Sequence, residues 1–168
     1  MKWAIIVLIM MSLIGSMMWV MPTKRQRFLA DLRMKATRLG FQVQLIRLTP
    51  PRAMGEVEAE TFSASAYRLP RLDMKKEQRD GFKEWRIFRQ EAISNEGLPA
   101  GWCWETGERQ LTEQQLQQLN EFISELPDGI RAVESTPIHL TLFWDERGDE
   151  AVLESLKQKM QQMLEKQF

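Results

Sequence analysis

The feature that most constrains this chain is its N-terminal run from Trp3 to Val20, WAIIVLIMMSLIGSMMWV, which contains no charge, no Asn or Gln and no Pro. An α-helix rises about 1.5 Å per residue, and the hydrocarbon core of a bilayer is about 30 Å thick. A run of this length is about long enough to cross that core. The sequence therefore predicts a transmembrane anchor over residues 1–22, followed by a polar chain with ordinary core spacing.

A cleaved secretory signal is the alternative for this segment. Such a signal has a basic start, a short apolar core and small residues just before the cut. A cut after Ser16 would place Ile14 at the third position before it, and a cut after Gly15 would place Leu13 there. Neither side chain suits a small pocket, and no Cys follows that would mark a lipoprotein. We therefore expect an uncleaved anchor.

The flanks of the segment predict how it is oriented. Trp3 and Trp19 are separated by about 24 Å of helix, which would place one indole at each headgroup boundary. Only Lys2 precedes the segment, whereas many basic side chains follow it: Lys24, Arg25, Arg27, Arg33, Lys35 and Arg38. The positive-inside rule then predicts a single-pass protein of a bacterial inner (plasma) membrane, with its N-terminus outside and its C-terminal domain in the cytoplasm. The opposite topology, with the domain in the periplasm, is the alternative.

Small residues inside the segment and basic residues after it suggest two kinds of contact. Ser12, Gly15 and Ser16 form a pattern that lets two membrane helices approach closely; it either predicts self-association into a homo-oligomer or arises by chance. Residues 23–40 predict a basic juxtamembrane helix. Its cations could bind anionic membrane lipid, or they could be solvated and serve to fix the topology. Both roles can apply to the same helix.

Charge and cysteine content exclude some classes of protein. The chain has 23 basic and 23 acidic side chains, so its formal charge is zero, and this balance argues against nucleic acid as a partner. The single cysteine, Cys103, agrees with a reducing compartment, where disulfides are not needed. About 145 residues follow the anchor, enough for one domain with a core.

The order of patterns after the anchor predicts an α+β fold. Thr23 and Gln26 form a capping box that opens the first soluble helix, and residues 41–48 alternate as a half-buried strand. Thr112 and Gln115 cap a second helix, and Asp149 caps the last one. The sequence predicts an N-terminal transmembrane helix followed by a small domain, residues 41–168, with a mainly antiparallel sheet and amphipathic helices.

Chemical signatures are few. His139 is the only histidine and has no neighbouring nucleophile or second ligand, so we interpret it as structural. A turn from Asp145 to Glu150 carries carboxylates that could hold a cation, but helix capping explains part of it. Trp102 and Trp104 flank Cys103 and could stack a ligand, mark a partner surface or pack in the core. We predict no catalytic, cofactor-binding or metal residue, and no enzyme activity.

The stretch MPTKRQRFLADLRMKATRLGFQVQLIRL, which follows the apolar segment, resembles bacterial single-span inner-membrane proteins labelled YajC-like, which are accessory subunits of the Sec translocon. The resemblance covers about residues 1–48 and lies in the layout of the chain. It implies one span, a basic helix after it and a small cytosolic β-domain. The chain is also similar to inner-membrane proteins of γ-proteobacterial type. The GWCW and FWDERG stretches depart from the short domain of the translocon subunit.

These patterns lead to two functional hypotheses. The first is a non-enzymatic single-pass inner-membrane protein whose soluble domain binds a membrane or cytosolic protein partner, with a role in protein translocation or envelope assembly. The second is a membrane-tethered small-ligand sensor or enzyme with a pocket near Trp102, Trp104 or His139.

Overall fold

The computed structural model describes the backbone of residues 2–72 and 74–166, together with their side chains except those of residues 17–20. Within these ranges the helices and strands follow one another in this order: α1 (Lys2–Val20), α2 (Lys24–Arg38), β1 (Gln42–Leu48), β2 (Phe62–Pro70), α3 (Lys76–Asp80), β3 (Trp85–Phe88), β4 (Cys103–Thr106), α4 (Glu113–Ser124), β5 (Ile130–Ser135), β6 (His139–Trp144) and α5 (Glu150–Glu165).

The chain divides into two compact units, residues 1–32 and 33–168, so the division falls inside α2. The predicted boundaries lay on either side of that helix. In the first unit, the side chains described for α1 are all exposed. The predicted capping box at the start of α2 is confirmed, since Gln26 N donates to Thr23 Oγ1 at 3.2 Å and Thr23 N donates to Gln26 Oε1 at 2.8 Å.

The prediction of an N-terminal transmembrane helix is wrong. No helix in the described part of the chain is long and apolar enough to span a bilayer. The single-pass topology and the inner-membrane location that followed from this segment are wrong for the same reason.

A six-stranded sheet in the order β1-β2-β6-β5-β3-β4 organises the second unit, and every neighbouring pair of strands is antiparallel. The prediction of an α+β domain with an antiparallel sheet is therefore confirmed. The alternating apolar residues of β1 and β6 predicted these strands, because successive side chains of a strand point to opposite faces.

One face of the sheet, here called the helix face, carries large apolar side chains. Tyr67, Leu142, Val133 and Ile87 lie opposite one another across four strands and are almost fully buried. The ring of Phe41, which follows α2, packs edge-on against Tyr67 at 5.8 Å. Helices α4 and α5 bury their apolar stripes: Leu119, Phe122, Ile123, Leu153, Leu156, Met160 and Met163.

The opposite face, here called the loop face, has a smaller apolar core. Ala66, Phe143, Ala132 and Phe88 lie in register across it, and Cys103 completes the cluster. Two chain segments that follow strands meet here, since Met54 N donates to Glu91 O at 3.0 Å. Two residues further along the strands, the loop face becomes polar: Arg68, Thr141, Glu134 and Arg86.

Candidate binding cleft

A cleft of about 890 Å³ opens on the helix face at the end of the sheet where β2 finishes and β3 begins. Leu69 and Trp85 line it from the sheet, and they are 7% and 1% exposed. Its volume lies within the range of about 300–1,000 Å³ that is usual for ligand sites. The cleft is therefore large enough for a small molecule or for several side chains of a partner.

Gly107 packs directly against Trp85. This glycine has a φ of +91°, a left-handed conformation that residues with a Cβ rarely adopt. A Cβ at this position would also lie 2.4 Å from the Cβ of Trp85. Glycine at 107 therefore lets β4 end directly against the residue that forms the apolar floor.

Helices α4 and α5 form two walls of the cleft, through Leu111 and Gln115 at the start of α4 and through Leu164 near the end of α5. At the other end of α4, Lys159 Nζ donates to Glu125 O at 3.0 Å and pairs with the carboxylate of Glu125 at 2.8 Å. This contact ties α5 to the last turn of α4. The cleft opens at the opposite end of α4 from this contact, between the first turn of α4 and the last turns of α5.

The third wall is the segment between β2 and β3, and Arg71 anchors it. Arg71 Nε donates to Thr136 O at 3.0 Å, and its Nη2 donates to Ser135 Oγ at 2.7 Å. The guanidinium also lies over the ring of Phe82, 4.8 Å from its centre. Burial lowers the pKa of Arg71 to about 10, so the group is still charged at neutral pH. The wall thus carries a positioned cation.

Among the described residues, three of the five charged side chains that line the cleft are basic. Lys83 Nζ donates to Gln110 O at 2.8 Å, whereas Lys157 has no hydrogen-bond or ion-pair partner within the described part of the chain. Glu77 and Glu165, the acidic residues of the lining within the described part of the chain, are exposed. Lys157 is half-buried beside an apolar floor. It is therefore the cation best placed to meet an anionic group of a ligand.

His139 lies away from the cleft, on the loop face where alternation along β6 predicts it. Its Nδ1 lies 3.0 Å from Thr141 Oγ1 and 3.2 Å from Thr136 Oγ1, and 3.9 Å from Glu134 Oε1. Burial lowers the pKa of His139, and the charge of Arg68 acts in the same direction. The imidazole is therefore neutral at pH 7 and engaged with hydroxyl groups.

The carboxylate of Glu134 is held by Arg86. Arg86 Nε donates to Glu134 Oε2 at 2.7 Å and Nη2 donates to the same oxygen, while Nη1 donates to Glu105 Oε2 at 2.7 Å. One guanidinium thus bridges carboxylates on two strands. Such a bridged carboxylate is poorly suited to act as a general base.

The carboxylates of the acidic turn after β6 do not converge. Asp145 pairs with Arg147, Glu146 with Arg33, Glu150 with Lys35, and Asp149 accepts from Val152 N as the N-cap of α5. No group of His, Cys, Asp and Glu in the described residues could hold a metal ion. Each carboxylate has a structural partner instead, and the predicted cap of α5 is confirmed.

Trp102 and Trp104, the predicted partner surface, are 4% and 3% exposed. Trp104 Nε1 donates to Glu96 O at 3.0 Å, and the guanidinium of Arg89 lies 5.4 Å from the ring centre of Trp102. Neither tryptophan lines the cleft, and His139 does not line it either. This cleft therefore lies away from these three residues, both indoles are buried, and a pocket near His139 stays a prediction: a smaller cavity of about 270 Å³ is lined by Glu134 and Thr136, which contact its imidazole.

The other predicted contact residues belong to the first unit. Several of them are exposed there: Trp3, Ser12, Gly15, Lys24, Arg25 and Arg27. Ser16 Oγ donates to Leu13 O at 2.8 Å, one turn back in α1. The side chain of Trp19 lies outside the described residues. The predicted self-association through Ser12, Gly15 and Ser16 stays a prediction.

Arg71 and Lys157 were missed by sequence reasoning. Residues 71–81 have the mixed charge of an exposed loop, and Lys157 occupies a position on α5 that a helical wheel assigns to the border of the apolar stripe. The available signal was Phe82, a large apolar residue within a charged stretch, which indicates that part of this segment is packed.

Comparison with known proteins gives no relatives for this arrangement: no family model, no curated protein and no solved structure matches the chain. The resemblance to YajC-like subunits therefore stays a prediction from the layout of residues 1–48.

Proposed function

We propose that this protein is a non-catalytic binding protein, and that its cleft takes a segment of a partner protein that presents an apolar side chain next to a carboxylate. The observation that carries this proposal is the position of Lys157, a half-buried cation with no partner in the described chain, beside the buried floor of Leu69 and Trp85.

The apolar lining of the cleft supplies the main source of affinity, through partly exposed side chains such as Leu111 and Leu164, because Leu69 and Trp85 are almost fully covered. Transfer of one Leu or Phe side chain from water into an apolar site is worth about 1.5–3 kcal/mol. Leu111 and Leu164 extend the apolar surface from the floor onto both helical walls. An apolar anchor residue of a partner would thus be enclosed on several sides.

The polar side chains of the rim favour a peptide over a purely apolar ligand. Gln78, Gln115 and Gln161 line the cleft; the Oε1 atoms of Gln78 and Gln115 already accept hydrogen bonds from Lys75 N and Thr112 N, so these two residues offer their NH2 donors. The amide of Gln161 offers both a donor and an acceptor, and together these groups match the polar groups of a peptide backbone. The basic side chains then favour a carboxylate on the partner, from Asp, Glu or a chain terminus.

The groups that commonly carry catalysis support a binding role. The imidazole of His139 is held by two hydroxyls, and Arg86 holds Glu134. Cys103 is fully buried, and burial raises the pKa of its thiol, which favours the unreactive protonated form. None of these groups lines the cleft.

A selection of displayed random peptides on the 168-residue chain tests this proposal, with two neighbouring glutamines as matched positions. Gln161 lines the cleft and Gln162 does not, although both are exposed on α5. Enriched peptides should carry an apolar residue next to Asp or Glu. Their affinity should fall about tenfold or more in Gln161→Trp, because the indole occupies the space that the apolar side chain of the peptide needs. Burial of that side chain contributes about 1.5–3 kcal/mol to the binding free energy. The affinity should be unchanged in Gln162→Trp.

Two results would contradict the proposal. One is enrichment of peptides that bind Gln161→Trp as tightly as the unmodified chain. The other is a selection without enrichment alongside tight, Gln161-dependent binding of a small organic anion, which would assign the cleft to a small molecule.

A further inference from the structure

The two edge strands of the sheet differ in how well they are protected against pairing with a strand of another chain. At one edge, β4 has only four residues, and its pairing with β3 is interrupted by a register shift beside Arg86. At the other edge, β1 pairs with β2 over seven residues in unbroken register. Short strands and bulges are the usual ways to prevent an edge from pairing with another strand. The β4 edge has both, and the β1 edge has neither.

The outer side of β1 is also without blocking side chains. Residues 42–48, QVQLIRL, contain no proline and no lysine, and Arg47 is their one charge. Leu45, at the centre of the strand, is 68% exposed. An exposed, regular strand with a central apolar side chain is a template for a further antiparallel strand.

We infer that β1 pairs with β1 of a second copy of this chain, antiparallel and around a two-fold axis at Leu45, so that two sheets join into one. In an isologous pair the same residues face each other in both directions. The register centred on Leu45 is the one in which all seven residues overlap.

The side chains of β1 complement themselves in this register. Leu45 lies opposite Leu45 of the second copy, which covers the exposed apolar side chain. Arg47 lies opposite Val43, so the like charges of the two copies do not meet, and directly opposed like charges would destabilise the pair. A foreign strand would have to supply these features separately, whereas a second copy has them already.

The pairing should be weak and concentration-dependent. A stable interface usually buries about 800 Å² on each partner, and one seven-residue edge provides less than that. The dimer should thus form at micromolar concentration and dissociate on dilution. This interface lies at the β1 edge, and none of the residues of β1 lines the cleft, so the inference is independent of the proposed function.

Disulfide trapping in the full-length chain tests the inference directly. The native Cys103 is fully buried, so an introduced cysteine is the reactive one. Opposed residues of antiparallel strands have Cα atoms about 4.5–5.5 Å apart, a separation that a disulfide can bridge. Leu45→Cys should form a covalent dimer under mild oxidation, and Ile93→Cys, at an exposed aliphatic residue outside the strands, should not exceed the rate of random collision.

A mixed experiment fixes the register. Equimolar Val43→Cys and Arg47→Cys chains, one of them carrying a size tag, should give mainly the mixed dimer. The inference is overturned if Leu45→Cys is oxidised no faster than Ile93→Cys, if the mixed dimer is no more abundant than the two homodimers, or if Leu45→Cys is trapped on a different protein.

A third variant, Leu45→Lys, places two ammonium groups opposite each other and should weaken dimerisation roughly fivefold in sedimentation measurements, whereas Ile93→Lys should not.

Discussion

The carboxylate of Glu146 accepts three side-chain hydrogen bonds on the helix face. Arg33 donates to it through Nε at 2.7 Å and through Nη2 at 2.6 Å, and the hydroxyl of Tyr67 donates to it at 2.7 Å. Burial alone would raise the pKa of Glu146, but these hydrogen bonds outweigh it and hold the pKa below its ordinary value. Removing one partner of such a pair leaves the others unpaired in a buried site.

We expect Glu146→Gln to lower the free energy of unfolding by about 2 kcal/mol at pH 7, less than for a fully buried pair because Arg33 is 40% exposed. The matched variant Glu150→Gln removes a carboxylate that is 58% exposed and paired with Lys35, and it should have little effect. Urea unfolding of the full chain measures both. An equal loss of unfolding free energy in the two variants would show that the burial of Glu146 does not add to its contribution to stability.

The same pair predicts a pH dependence with a definite sign. A carboxyl group whose pKa is lower in the folded state stabilises the fold above its unfolded pKa, and this stabilisation is lost as the pH falls through the folded pKa. The difference between the unmodified chain and Glu146→Gln should therefore be constant from pH 7 to pH 5 and shrink below about pH 4. A difference that shrinks between pH 7 and pH 5 would contradict the assignment.

The role of Glu146 could not be predicted from the sequence. Its partners Arg33 and Tyr67 are 113 and 79 positions away along the chain, and nothing local distinguishes it from the neighbouring carboxylates of its turn. Asp149 is the opposite case. Its cap depends on a backbone N–H three residues later, so local sequence was sufficient to predict it.

At the scale of elements, the capping box of α4 makes a testable contribution to stability. Gln115 N donates to Thr112 Oγ1 at 3.3 Å, and Thr112 N donates to Gln115 Oε1 at 3.0 Å. Thr112→Ala should lower the free energy of unfolding by about 1 kcal/mol, because the first turn of α4 loses an acceptor. Thr112→Ser keeps the hydroxyl and should restore most of that loss. Thermal unfolding of the three chains measures this, and an unstable serine variant would count against the cap.

Elements with a strong local pattern were predicted well, and those defined by distant contacts were not. Strand β1 alternates and α4 has a cap and an apolar stripe, so both follow from residues close in sequence. Segment 71–84 has no such pattern, and it becomes a wall of the cleft because Arg71 reaches Ser135 and Thr136. The α1 segment shows a further limit of prediction from sequence: its high apolar content was not sufficient to identify a transmembrane helix.

For the whole molecule, a formal charge of zero conceals an uneven distribution of charge. Among the described residues, the cleft is lined by the basic side chains Arg71, Lys83 and Lys157 and by the acidic Glu77 and Glu165, which come together from the β2–β3 segment and α5. The alternating patterns of the sequence correctly predicted an α+β domain with a mainly antiparallel sheet. They could not locate the site, because the order of the strands is set by pairings between residues far apart in the chain.

This distribution predicts how the cleft should treat an apolar anion such as 1-anilinonaphthalene-8-sulfonate. The exposed apolar side chains of α1 can also bind this dye, so the component lost in Gln161→Trp defines binding in the cleft. That component should weaken two- to fivefold in Lys157→Gln, roughly the loss expected for one partly exposed ionic contact, and should also weaken with added salt. Lys166→Gln removes a charge at the C-cap of the same helix, outside the lining of the cleft, and should leave the affinity unchanged. Fluorescence titration of the full-length variants measures these affinities, and equal effects of the two lysine substitutions would mean that net charge, rather than the position of Lys157, attracts the anion.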